Sequence, residues 1–225
     1  YVAVGLMRPI PNATAAPTPF RFRGWLHVNW PFLAFWSLLA LAALTKGFLP
    51  IALAALALSC FAWITSPADA TARYGVWARL RQVLGLFIRT RAQWGIPVFL
   101  LLAGPWYLYM TLRHGWAYWD QFLLFHHLDR AQGEISLPSG TFDFYLRHLG
   151  FGLFPWTGFF VGGLAVYLAR CRSGSIATQQ RNRAVLSLIA PPLAFFMLAG
   201  TKFGHYLLPV IPPCTVVVAA SLVWL

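Results

Sequence analysis

The segment from Trp30 to Thr65 constrains the fold of this chain more than any other feature. It contains about 36 nearly uninterrupted apolar residues, and its only charge, Lys46, lies near the middle in Thr45-Lys46-Gly47. A helix of that length would extend roughly 54 Å, whereas the hydrocarbon core of a bilayer is about 30 Å thick. The segment therefore predicts two short transmembrane helices joined by a tight turn, which places Lys46 at a membrane face.

The composition of the whole chain points the same way. Of its 225 residues, 59% are hydrophobic and only 10% are charged, which leaves too little polar surface to cover a soluble globule. A net charge of +12 would suggest nucleic-acid binding in a soluble domain, but here the basic residues cluster between apolar runs. The sequence therefore predicts an integral membrane protein with no nucleic-acid partner.

The arginine clusters predict a topology, because Lys and Arg are retained in cytoplasmic loops. We expect an all-α polytopic transmembrane bundle forming part of one domain over residues 1–225, with about six spans near 28–44, 48–65, 95–113, 149–169, 184–200 and 206–225. Cytoplasmic loops fall at about 8–25, 66–94 and 170–183, and an outer loop containing short helices falls at about 114–148. Twelve arginines are then cytoplasmic: Arg8, Arg21, Arg23, Arg73, Arg79, Arg81, Arg89, Arg91, Arg170, Arg172, Arg181 and Arg183.

The five remaining basic residues fall on the opposite, outer face, where the topology rule does not favour them: Lys46, Arg113, Arg130, Arg147 and Lys202. Cations there suit a phosphate, since Arg binds it with two-pronged hydrogen bonds and Lys as a point charge. A lipid phosphate lies at the right depth. The alternative is that these side chains only extend to the lipid headgroups.

Other residues on or near this face carry weaker predictions. The adjacent pair His126 and His127 points to different sides of a helix, so we assign no metal site, although a divalent metal stays open as an alternative. Asp143 and Arg147 predict a local ion pair. Gly158 and Gly162 have the spacing that lets two helices approach closely.

Five short motifs occur in an order and spacing that resemble one membrane-enzyme family. They are Leu44–Pro50, Pro105–Tyr107, Phe122–Arg130, Phe154–Thr157 and Thr201–Pro209. The chain resembles the bacterial protein-mannosyltransferase-like family, whose relatives include lipid A aminoarabinose transferases and protein O-mannosyltransferases. The resemblance implies a C-type (GT-C) glycosyltransferase that uses a polyprenyl-phosphate sugar donor. It also implies hexosyl or pentosyl transfer to a lipid, glycan or protein acceptor at the outer, periplasmic face of the bacterial inner membrane.

The resemblance also implies roles for individual residues. Lys46 matches a lysine that contacts the donor phosphate, and His127 with Arg130 matches a His-x-x-Arg element of the same site. Lys202 is a further donor-phosphate candidate. His126, His205 and Tyr206 are candidate substrate-site residues. The expected catalytic carboxylate lies upstream of Tyr1, since the chain is predicted to be an internal piece of a longer protein.

The alternative function is a polyprenyl-linked lipid flippase or transporter without transferase activity. Such a protein is expected to carry ionisable residues or broken helices near the bilayer midplane. The predicted spans hold almost no charge, and the outer charges gather at one face. This pattern favours the transferase.

Overall fold

A computed structural model describes residues 22–65, 68–122, 141, 143–200 and 202–224. Within these ranges the chain is helical, which confirms the predicted all-α class. His126, His127 and Arg130 lie outside the described residues. The helices are α1 (Phe22–Lys46), α2 (Leu49–Ile64), α3 (Ala68–Arg89), α4 (Ala92–His114), α5 (Trp116–Trp119), α6 (Phe144–Gly152), α7 (Thr157–Arg170), α8 (Ile176–Leu198) and α9 (Ile211–Trp224), with a 3-10 turn at Gly204–Leu207.

A helix is found at every predicted span, but few of them meet the requirements of a straight transmembrane helix. Among the described helices, α4 alone is long and apolar enough to cross a bilayer, and α6 with α7 becomes a second span if that pair is counted as one. The two helices of the pair are bent by 111° around Pro155. The α2 and α9 helices are apolar but shorter.

Two predicted span boundaries are wrong because of local backbone chemistry. The predicted span 149–169 is broken between α6 and α7, since Pro155 lacks the N–H that a continuous helix needs there. The last helix begins at Ile211 instead of 206, with Pro212 and Pro213 in its first turn, where a missing N–H is tolerated. The predicted loop 66–94 contains α3, which is kinked at Gly75.

Contacts between α1 and α4 show that these two helices run parallel. Arg91 donates to the Asn29 side chain, the Trp36 indole N–H donates to the Thr90 carbonyl at 3.0 Å, and the Tyr107 hydroxyl donates to the Ala43 carbonyl at 2.9 Å. Asn29 and Trp36, which precede Ala43 in α1, bond residues just before α4, whereas Ala43 near the end of α1 bonds Tyr107 in the second half of α4. Both carboxyl ends, including Lys46, therefore lie at one end of the bundle.

The α1–α4 interface is tightest at Gly95. A β-carbon at this position would lie 2.0 Å from the indole of Trp36, far inside van der Waals contact. Glycine is therefore the residue that lets the indole lie directly across the α4 backbone.

The α7 and α9 helices pack together in the second half of the core, where the contacts of Gly152, at the end of α6, and of Gly163, in α7, advance along α9 in the same direction. Gly152 lies opposite Ile211, and Gly163 lies against Val217 and Ser221. Among the described residues, no neighbouring helix comes within 4 Å of a β-carbon at Gly158 or Gly162, so the predicted close approach through this pair is not seen there. The contact uses Gly163, which is buried where Gly162 faces outward.

We expect Gly163→Val to destabilise the protein by about 1–3 kcal/mol, the usual range for overpacking a helix contact. A β-carbon there would lie 1.8 Å from the Ser221 hydroxyl oxygen and 3.0 Å from the Val217 carbonyl oxygen. The measurement is thermal or denaturant unfolding of the full-length protein in detergent. Gly162→Val is the matched control, and equal losses in the two variants would contradict the assigned packing.

Candidate functional site

The Lys46 turn, residues 45–48, connects α1 to α2. It reverses the chain at Gly47, whose φ of 66° lies in the left-handed region that glycine adopts readily. Thr45 donates its hydroxyl to the Ala42 carbonyl at 2.8 Å. The Lys46 side chain is exposed, and its ammonium makes no hydrogen bond or ion pair within the described part of the chain. It is therefore available to an anion.

An aromatic cluster holds this turn in place. It consists of Phe48, Tyr107, Tyr118, Trp119 and Phe122. The ring of Phe48 lies 5.5 Å from Tyr107 and 5.6 Å from Phe122, and Tyr118 stacks on Phe122 at 5.3 Å. These separations are in the range of favourable aromatic pairs. The cluster thus joins the Lys46 turn to the end of α4 and to the first residues of the outer loop.

Two hydrogen bonds fix the orientation of the aromatic cluster. The Tyr107 hydroxyl donates to the Ala43 carbonyl on α1, and the Trp119 indole N–H donates to the Thr111 hydroxyl at 3.1 Å. The sequence analysis did not identify this cluster as part of the site. A sequence signal for the cluster is the group of aromatic residues in Pro105-Trp106-Tyr107 and Tyr118-Trp119, on either side of the end of the predicted span 95–113.

The aromatic cluster determines where the segment 123–130 begins. Phe122 is the last described residue before it, and its ring contacts Phe48, two residues after Lys46. Arg130 lies eight positions after Phe122, so a fully extended chain would separate the two residues by at most roughly 26–29 Å. The roles of His127, Arg130 and His126 stay predictions. The segment that carries them follows Phe122, which contacts Phe48 of the Lys46 turn.

Lys202 occupies a different environment from Lys46. It is only 6% exposed, and its ammonium donates to the carbonyls of Met197 and Ala199 at 2.6 Å and of Phe196 at 3.3 Å. It also lies 5.6 Å from the ring centroid of Tyr145. Desolvation of the ammonium lowers the pKa of Lys202 below its ordinary value. With these contacts, Lys202 caps the carboxyl end of α8. They give no support to the predicted role of Lys202 at the donor phosphate.

The Lys202 cap positions the 3-10 turn that carries His205 and Tyr206. The Phe203 backbone N–H donates to the hydroxyl of Tyr145 at 3.1 Å, and Tyr206 stacks on Phe196 at 4.9 Å. Tyr145 is fully buried. His205 is exposed, so it remains accessible as a candidate substrate-site residue.

His148 is a residue that the sequence analysis did not single out. Its ring stacks on Phe144 at 4.0 Å, and its Nδ1 atom lies 2.9 Å from the Phe144 carbonyl oxygen. The turn that carries His205 passes beside it, since a β-carbon at Gly204 would lie 3.4 Å from His148 Cδ2. The only sequence signal was the spacing of four residues on a helix, which puts Phe144 and His148 on one face.

The predicted ion pair between Asp143 and Arg147 is confirmed. The Thr141 hydroxyl also bonds the Asp143 carboxylate, and together with Arg147 it lowers the pKa of that carboxyl. Both charged side chains are exposed, so the pair adds little stability. In the described part of the chain no three His, Cys, Asp or Glu residues are grouped to hold a metal ion.

Comparison with known proteins gives a consistent family. The chain is 31% identical over 194 residues to an undecaprenyl phosphate-alpha-4-amino-4-deoxy-L-arabinose arabinosyl transferase of Pseudomonas paraeruginosa, covering 84% of this chain and 31% of that protein. It is 30% identical over 189 residues to undecaprenyl phosphate-alpha-4-amino-4-deoxy-L-arabinose arabinosyl transferase 1 of Sodalis glossinidius. This match covers 82% of this chain and 30% of that protein. The chain therefore spans about a third of the length of these relatives. No family model matches it.

A solved structure supports the same assignment. The crystal structure of ArnT from Cupriavidus metallidurans bound to undecaprenyl phosphate matches with a TM-score of 0.61 and 25% sequence identity, covering 90% of this chain and 31% of that one. The chain thus has part of the fold of a C-type glycosyltransferase, and it is an integral membrane protein. It is a partial-length homologue of these arabinosyl transferases, which are relatives of the kind that the five motifs indicated.

We expect Tyr107→Phe to lower the stability of the full-length protein by about 1 kcal/mol, because the Ala43 carbonyl loses its side-chain hydrogen bond. Tyr109→Phe is the matched control, since Tyr109 is exposed on the same helix. Unfolding in detergent measures both. A Tyr107→Phe variant as stable as the control would show that this bond does not hold the turn.

We expect Lys202→Met to destabilise the protein by about 2 kcal/mol, because it removes charged hydrogen bonds from three carbonyls at the end of α8. Lys46→Met should change stability by less than about 0.5 kcal/mol, since its side chain is exposed. The measurement pairs unfolding with donor affinity. Weaker donor binding by Lys202→Met at unchanged stability would assign Lys202 to the phosphate instead of the cap.

Proposed function

We propose that the full-length protein is a membrane glycosyltransferase that moves a pentose of the aminoarabinose type from an undecaprenyl-phosphate donor to an acceptor. The names of the relatives, which describe arabinosyl transfer from this donor class, support the donor. The similar crystal structure of ArnT, which is bound to undecaprenyl phosphate, supports a polyprenyl-phosphate site. The family branch favours lipid A as the acceptor, with a glycan or protein as the alternatives.

The observation that carries this proposal is the exposed Lys46 at the turn between α1 and α2. Its ammonium has no partner in the described part of the chain, and the aromatic cluster holds it beside the start of the segment with His127 and Arg130. A phosphate anion that is tethered to an apolar chain would find a cation at the helix ends and apolar surface along the helices below. Lys46 and Arg130 are the groups that we assign to the donor phosphate, with His127 as a further contact.

The reaction that fits these groups is a direct displacement at the anomeric carbon. An acceptor hydroxyl forms the new bond to that carbon, and the bond to the lipid phosphate breaks with its electron pair going to the phosphate oxygen. Lys46 and Arg130 stabilise the negative charge that develops there, an effect worth a few kcal/mol per contact in typical enzymes. The acceptor proton goes to a base, expected to be an acidic residue upstream of Tyr1.

The same proposal places the active face on the periplasmic side of the bacterial inner membrane. The ends of α1 and α4 that carry Lys46 and Arg113 lie together, and Arg89 and Arg91 lie at the opposite end of α4. The arginine-rich end is cytoplasmic under the positive-inside rule. The Lys46 end is then periplasmic.

The experiment measures sugar transfer from undecaprenyl-phosphate donors by the purified full-length protein. We expect Lys46→Ala and Arg130→Ala each to reduce transfer at least about tenfold, because each removes stabilisation of the departing phosphate. Arg113→Ala is the control, since Arg113 is an exposed cation at the same end of the bundle.

Two results would overturn the proposal. Unchanged transfer in folded Lys46→Ala protein would remove Lys46 from the site. Retained polyprenyl-phosphate binding without transfer or donor hydrolysis, whatever the sugar, would favour the flippase or transporter.

A further inference from the structure

A pocket of about 600 Å³ lies at the end of the bundle opposite the Lys46 turn. It is formed where α2 and α7 end and α8 begins, and its lining includes Ile64, Leu168, Leu186, Arg172 and Arg183. The 16 residues of α2 separate Ile64 from the Lys46 turn by about 24 Å along the helix axis. The pocket is therefore separate from the candidate active site.

The two charged residues of this pocket, Arg172 and Arg183, come from different elements, and only the guanidinium of Arg183 is held by hydrogen bonds to described residues. Arg183 donates through Nη2 to the Cys171 carbonyl at 3.0 Å and to the Gln179 side chain at 3.2 Å. Its Nε and Nη1 groups take no partner in the described structure, so the guanidinium is held in place with donors to spare. Arg172 is exposed, and its guanidinium forms no described bond.

The rest of the lining is uncharged. Ile64, Leu168 and Leu186 present branched aliphatic side chains, and no lining residue is acidic. A free anion would satisfy the arginines but not the apolar wall, whereas a phospholipid satisfies both, because its phosphate and its acyl chains are adjacent. Basic pockets between transmembrane helices on the cytoplasmic side suit anionic lipid headgroups in this way.

We propose that this pocket binds the phosphate headgroup of an anionic phospholipid, with Arg172 and Arg183 contacting the phosphate and Leu168 and Leu186 contacting the acyl chains. The site is independent of the proposed transferase activity. It takes a lipid of the leaflet opposite the one that presents the sugar donor.

The test uses the delipidated full-length protein in detergent and native mass spectrometry with phosphatidylglycerol as the probe. We expect Arg172→Gln and Arg183→Gln each to weaken the tightest phosphatidylglycerol binding by roughly fivefold, the usual effect of one arginine near an anionic lipid surface. Arg181→Gln is the matched control, an exposed arginine on the same helix outside the pocket. Phosphatidylcholine should bind at least about fivefold more weakly than phosphatidylglycerol to the wild-type protein.

Several outcomes would overturn the proposal. If Arg181→Gln weakens phosphatidylglycerol binding as much as the pocket variants do, the lipid is attracted by the general positive charge and not by the pocket. Displacement of the lipid by equimolar inorganic phosphate would show a free-anion site. If Arg183→Gln does not fold, the test rests on Arg172→Gln and on a second variant, Leu168→Trp, which fills the space beside the apolar wall and keeps both arginines. Undiminished phosphatidylglycerol binding in both of these folded variants would exclude the site.

Discussion

The parallel register of α1 and α4 is the constraint on which the rest of the candidate site depends. The Tyr107 hydroxyl, the Trp36 indole and the Arg91 guanidinium each bond a partner on the neighbouring helix or at its end. Slippage along the interface would break all three bonds at once. This register brings the ends of both helices together, and it thereby places Lys46 beside the aromatic cluster and the start of the outer loop.

The two lysines of this chain, Lys46 and Lys202, show how the same side chain serves different purposes in different surroundings. Lys46 is exposed and unpaired among the described residues, which is what a ligand-binding cation needs. Lys202 is buried, and its three ammonium hydrogens are matched by three backbone carbonyls. Carbonyls at the carboxyl end of a helix attract a cation without any ligand. A charge at a span end is therefore evidence for function only once its partners are known.

Much of the fold was predictable from the sequence, because long apolar runs and the arginine pattern are strong signals. The site was predictable only in part. Motif spacing indicated Lys46, but nothing in the sequence distinguishes its ammonium, which has no partner among the described residues, from the capping ammonium of Lys202. The choice between Gly162 and Gly163 depends on the rotation of α7 against α9, which a spacing motif does not determine. The arginines between 66 and 94 indicated a loop between spans, and that topological signal carries no information on whether the loop is helical, as α3 is.

The contact between Gly95 and Trp36 has a consequence for how this protein can vary. Any side chain at position 95 would occupy the space of the indole, so a larger residue there requires a smaller one at position 36. That exchange would also remove the indole N–H from the Thr90 carbonyl. Each single change is therefore penalised, the one at position 95 by overlap with the indole and the one at position 36 by loss of this hydrogen bond. The two positions are expected to change together or not at all across homologues.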